Sequence, residues 1–190
     1  MPAGDWARGE RGIAALPGRE AELKQAVARS LDYARILGTR MLHVMAGVGG
    51  ERATFIGNLR HAAKEAAKDG IIITIEPINP LDQPGYFLTH QAQAHAIREE
   101  VGEPNLKVQM DLYHVQMTEG DITDKIRRYL PHVAHIQIAG TPGRHEPDTG
   151  EVNYRHVFRV LDEMGYAGWV GCEYFPRAST EDGLAWMRQT

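Results

Sequence analysis

A single cysteine, Cys172, stands in 190 residues. No internal disulfide can form, which fits a reducing compartment. Long apolar runs are missing too. The longest aliphatic stretch is Ile71-Ile72-Ile73, with Thr74 and Ile75 behind it, far short of the ~20 residues of a membrane helix. The opening MPAGDWARGE has no basic stretch followed by an apolar one, so no secretory leader is read and a cytoplasmic location is expected. Positive charge is not in excess: 21 Lys and Arg against 25 Asp and Glu leave a net charge of −4. Proteins held to nucleic acid by phosphate contacts normally carry a basic face. Neither nucleic acid nor a membrane is therefore expected as a partner. HExxH and paired CxxC are absent, which leaves a conventional zinc site without support. GVGGERA (47–53) lacks GxGxxG spacing and no GK[ST] follows it, so phosphate-cradling loops are unsupported. GxSxG is missing as well, and Cys172 reads as a small buried side chain.

What is present is an ordinary globular mixture, 43% hydrophobic and 24% charged, read as one domain over 1–190. Leu23, Val27, Leu31, Ala34 and Leu37 recur at helical spacing, and Gly38 stops them. Helices are also expected over 53–69 and near 89–101, 121–130, 154–164 and 180–188. Between them lie apolar runs at 41–46, 71–76, 106–112, 133–139 and 169–174. Strands apolar on both faces that alternate with helices predict an α/β fold with a parallel sheet. Two architectures remain open on this evidence. Five strands suit a doubly wound sheet, whereas a complete (β/α) barrel usually takes ~250 residues. Loops 77–88 and 140–153 follow strands and are long enough to be functional.

Each of four successive strands carries one oxygen ligand near its carboxyl end: Glu76, Asp111, Gln137 and Glu173. That is the end at which parallel α/β folds place their sites. A single acidic residue there reads as a helix cap or ion pair, but four in succession read as a shared site. Three carboxylates and an amide oxygen suit Mg²⁺ or Mn²⁺. His114 follows Asp111 by three residues and is expected at the same mouth, touching substrate. Arg144, in the Gly/Pro-rich AGTPGRHEPDTGEVN, either forks onto a substrate carboxylate or is a solvated turn charge. His43 is read as a substrate contact or a satisfied core histidine, and Asp82 as a supporting carboxylate or a turn former. Trp6 and Trp169 either line the site or simply pack.

The strings IEPIN (75–79), QMDLYH (109–114), HIQIAGTPGRHEPDTGEVNY (135–154) and GCEY (171–174) resemble the hydroxypyruvate isomerase family of xylose-isomerase-like (β/α) barrels. The likeness runs from about Gly4 to the C-terminal GLAWMR. It implies a TIM-barrel type parallel sheet and identifies Glu76, Asp111, Gln137 and Glu173 as ligands of Mg²⁺ or Mn²⁺. It also implies that Glu76 and Glu173 transfer protons, and that His114 and Arg144 contact the substrate. The implied reaction converts hydroxypyruvate to tartronate semialdehyde (2-hydroxy-3-oxopropanoate). A related short oxo acid such as 2-oxo-tetronate is the alternative substrate. Family members begin with further strand–helix units before the PAGDW region, so about five of eight strands are expected here, in an N-terminally incomplete barrel. Such a chain is expected to pair with another copy of itself, to melt early, or to persist as an inactive fragment. A barrel endonuclease is set aside on the net charge and on Gln137, since those enzymes assemble histidine-rich zinc clusters.

Overall fold

The structure is a computed structural model that describes residue 1 and residues 3–188. Its contacts divide the chain into two compact units, Met1–Gln109 and Met110–Thr190.

The first unit holds β1 (Met41–His43), β2 (Ile72–Ile75) and the body of β3 (Leu106–Asp111), with α1 (Glu20–Leu37), α2 (Arg52–Ala67) and α3 (Gln91–Val101) between and before them. Its strands are parallel and neighbour one another in chain order, with Leu42 beside Ile73 and Ile75 beside Val108. Ile73, Ile75, Leu106 and Val108 are fully buried, as expected of strands covered on both faces. α1 buries Leu23, Val27, Leu31 and Ala34, and the left-handed Gly38 at its end donates to the Ala34 carbonyl. Leu37, expected on the same stripe, is instead exposed, because the core-facing row ends one turn earlier. Strand structure also stops at His43 rather than 46, since Ala46 turns away to bridge antiparallel to Gly12.

Gly12 shows why that turn needs a glycine. Its φ is +86°, and a Cβ there would stand 2.4 Å from the Met45 carbonyl oxygen. Left-handed backbone alone costs a side-chain-bearing residue roughly 1–2 kcal/mol, before the clash. Gly12→Ala is therefore expected to destabilise by at least about 2 kcal/mol, lowering Tm by roughly 4–8 °C for a chain of this size. Thermal melting checks this, and an unchanged Tm would contradict it.

The second unit begins with the last two residues of β3 and continues through α4 (Leu112–Thr118), α5 (Ile122–Tyr129), β4 (Val133–Ile138), α6 (Tyr154–Glu163) and β5 (Val170–Cys172). β4 and β5 are parallel, with Gln137 beside Gly171. Its core joins Leu112, Ile126, Ile136 and Ile138 to Val157, Leu161 and Trp186. α4 corrects the sequence reading, in which the chain simply left the strand after 112: here helix follows strand without a loop. The expected helix near 180–188 is a 3₁₀ segment, Asp182–Arg188. Among the described residues no helix is long and apolar enough to cross a membrane.

Candidate active site

Asp111 ends β3 and is at once the N-cap of α4, its Oδ1 accepting the Tyr113 N–H at 2.9 Å. Short polar acceptors at this position satisfy a helix-start donor, so the helix-cap reading of a strand-end carboxylate is correct for Asp111. It does not exhaust the residue. Asp111 is wholly buried, and its other oxygen faces Arg144 Nη2 at 3.3 Å and His114 Nε2 at 3.6 Å. Burial, with help from the Arg144 charge, pushes His114 down to about 3. The imidazole is therefore neutral, and its approach to Asp111 is not an ion pair.

Gln137 is the penultimate residue of β4 and donates through Nε2 to Glu173 Oε2 at 2.6 Å. Glu173 lies one residue beyond β5 rather than within a longer strand, and its side chain is 54% exposed. Its other oxygen is 3.2 Å from Arg144 Nη2. Arg144 thus joins Asp111 to Glu173. Its Nε also donates to the Glu173 carbonyl at 3.2 Å, and its guanidinium carbon lies 5.1 Å from the centroid of the Tyr113 ring. With the side chain 16% exposed, Arg144 is no solvated turn charge. The loop that carries it is pinned by the Phe175 N–H on the Arg144 carbonyl at 2.8 Å and by His145 Nδ1 against the Phe175 carbonyl at 2.8 Å. Tyr154 rivets the end of β4, its hydroxyl donating to the Ala139 carbonyl at 2.8 Å and accepting the Ala139 N–H at 3.3 Å. Burial, with the Asp111 charge as a smaller cause, raises that phenol.

The second unit therefore gathers five of the expected site residues: Asp111, His114, Gln137, Arg144 and Glu173. In the first unit, Glu76 follows β2 directly and is 5% exposed, with His43 Nε2 3.7 Å from its Oε2. Burial, with a smaller contribution from the N-terminal ammonium, pushes His43 down to about 3. That contact too is made by a neutral ring. Asp82 is exposed on a turn that Asn79 closes, Oδ1 of Asn79 accepting the Asp82 N–H at 2.8 Å.

Other expectations fail. Cys172 is exposed, not buried. Trp169 is 85% exposed at the amino end of β5, away from the carboxyl-end residues of that strand, and Trp6 is half-exposed in a short 3₁₀ segment with Arg11 stacked on it. Sequence reading missed Tyr113, the seat of Arg144. Its place between Asp111 and His114 was the available signal.

Two carboxylates against one guanidinium and a neutral imidazole leave the second unit's group with an excess negative charge. Its acceptors are carboxylate oxygens and, on Gln137, an amide carbonyl oxygen. That donor set fits a hard divalent cation.

The family model described as Xylose isomerase-like TIM barrel matches residues 3–190. A 2-oxo-tetronate isomerase of Cupriavidus necator is 53% identical over 97% of this chain and 74% of its own length. A hydroxypyruvate isomerase of Escherichia coli is 47% identical over 98% of this chain and 75% of its own length. The chain thus spans about three quarters of each relative. A solved structure named as an AP endonuclease, family 2, from Brucella melitensis has a TM-score of 0.97 and 49% identity, covering 100% of this chain and 76% of that one. A 3-keto-D-glucoside 4-epimerase of Escherichia coli shares the fold, with a TM-score of 0.79 at 21% identity over 94% of this chain and 76% of that one. This chain belongs to the xylose isomerase-like TIM barrel family.

Proposed function

We propose that this chain is an aldose–ketose type isomerase of short oxo acids that interconverts hydroxypyruvate and tartronate semialdehyde. The observation that carries the reading is the contact group at the carboxyl ends of β3, β4 and β5, in which Arg144 touches both Asp111 and Glu173. It offers a guanidinium for a substrate carboxylate beside carboxylates able to hold a cation or move a proton. The two isomerase relatives support the reaction class.

Glu76, Asp111, Gln137 and Glu173 would hold Mg²⁺ or Mn²⁺, which when bound supplies Lewis acidity toward neighbouring substrate oxygens. The residues do the rest. Arg144 orients the substrate carboxylate, and His114, buried and neutral, offers a hydrogen bond without adding charge. One of Glu76 and Glu173 takes the proton from the hydroxyl-bearing carbon beside the ketone, and that bond's electron pair forms the double bond of an enediolate. The other returns a proton to the former ketone carbon, while the hydroxyl proton passes to the former ketone oxygen. Atoms balance, and no redox cofactor is needed. His43 and Asp82 remain candidate substrate contacts. Pairing with a second copy of the chain remains part of the proposal, and sedimentation tests it.

The experiment is an isomerisation assay on hydroxypyruvate and on 2-oxo-tetronate, with and without Mn²⁺, plus DNA bearing an abasic site. Metal-dependent conversion of an oxo acid is expected. Cleavage of the DNA without isomerisation would overturn the reading. Within the assay, Arg144→Ala is expected to raise KM about tenfold or more, with a smaller fall in kcat, because one charge-assisted contact to the acid is lost. A fall in kcat alone would contradict that role.

A further inference from the structure

Arg144 approaches Asp111 and Glu173 with the same atom. Nη2 lies 3.3 Å from Asp111 Oδ2 and 3.2 Å from Glu173 Oε1. One nitrogen therefore faces carboxylates of two different elements, at a range longer than the roughly 2.7–2.9 Å of a strong charge-assisted bond. The backbone beneath it is held independently of these contacts. Arg144 has a φ of 56°, in the left-handed region, and hydrogen bonds between Gly140 and His145 and between Phe175 and Arg144, each 2.8 Å, fix the loop on either side. Side-chain torsions, at the loss of the 3.2 Å Nε–H bond to the Glu173 carbonyl, can therefore lift the guanidinium off the carboxylates, and the Tyr113 ring offers it a cation–π seat that does not involve them.

We propose that Arg144 is a displaceable counter-ion. Without a divalent cation it offsets part of the negative charge of Asp111 and Glu173. A cation arriving on those oxygens releases it to face a substrate carboxylate. The inference deepens the function proposed above and rests on its metal reading. Two positive charges on the same oxygens repel each other, so binding the cation and keeping Arg144 in place compete. Competition of this kind is a coupling between sites, typically 5–150-fold in affinity. It also sets an order: the cation prepares the site for the acid.

The test measures Mn²⁺ binding from the electron paramagnetic resonance of the free ion, in the wild type, Arg144→Gln and Arg144→Lys. The Gln variant is expected to bind Mn²⁺ at least about fivefold more tightly than the wild type, and the Lys variant, which keeps the charge, to stay closer to it. Equal or weaker binding by the Gln variant overturns the proposal and leaves the metal reading standing. Binding by none of the three overturns the metal reading, and the proposal with it. A second measurement needs no variant to fold: the assigned Arg144 Nε–H signal of the wild type is followed by nuclear magnetic resonance as Mg²⁺ is added. It is expected to shift in step with metal occupancy, and a stationary signal at saturation overturns the proposal.

Discussion

Glu173→Gln is expected to slow turnover by about 10²–10⁴-fold, the usual worth of a positioned general acid or base. The amide keeps the shape and still presents an oxygen beside Gln137 and Arg144, but it takes no proton. Glu76→Gln is expected to fall by a similar factor. That position is buried at 5% exposure beside a neutral His43, so the isosteric exchange removes charge with little change in volume. Turnover alone does not separate proton transfer from metal holding. The discriminating measurement is exchange of the substrate's carbon-bound hydrogen with deuterated solvent, in protein saturated with Mn²⁺. Exchange at the wild-type rate in both variants would remove these carboxylates from the proton path and leave them as ligands.

Asp111→Asn is expected to weaken Mn²⁺ binding by at least about 100-fold. Losing a partner that merely orients a ligand already costs 10–100-fold, and Asp111 offers the oxygen itself. The fold should survive, because asparagine keeps the Oδ1 acceptor that takes the Tyr113 N–H at 2.9 Å. Asp111→Ala loses that cap as well, and is expected to melt earlier than the Asn variant by an amount equivalent to about 0.5–2 kcal/mol. The pair of variants separates the two duties of one residue. Calorimetric titration with Mn²⁺ reads the first and thermal melting the second. Wild-type affinity in Asp111→Asn would exclude the residue as a ligand.

Much of this protein was legible from its residues in order. Apolar runs such as Ile71–Ile75 and helical repeats such as Leu23, Val27 and Leu31 reported strands and helices because burial and periodicity are local properties of a chain. Parallel pairing followed, since strands apolar on both faces that alternate with helices are the pattern of a helix-covered parallel sheet. The candidate residues Glu76, Asp111, Gln137 and Glu173 were visible because an acidic or amide side chain at the end of an apolar strand is costly without a purpose. Contacts between distant positions were not legible. Whether Arg144 faced solvent or carboxylates was open until loop and strand ends were placed, because 33 residues separate it from Asp111. The same holds for Cys172, Trp169 and Leu37, whose exposure depends on which neighbours cover them rather than on their own hydrophobicity. Asp111 shows the division most clearly. Its position in the chain announced a polar group with a task, whereas only the tertiary structure, by starting α4 directly on β3, made that group a helix cap and the buried partner of Arg144 together.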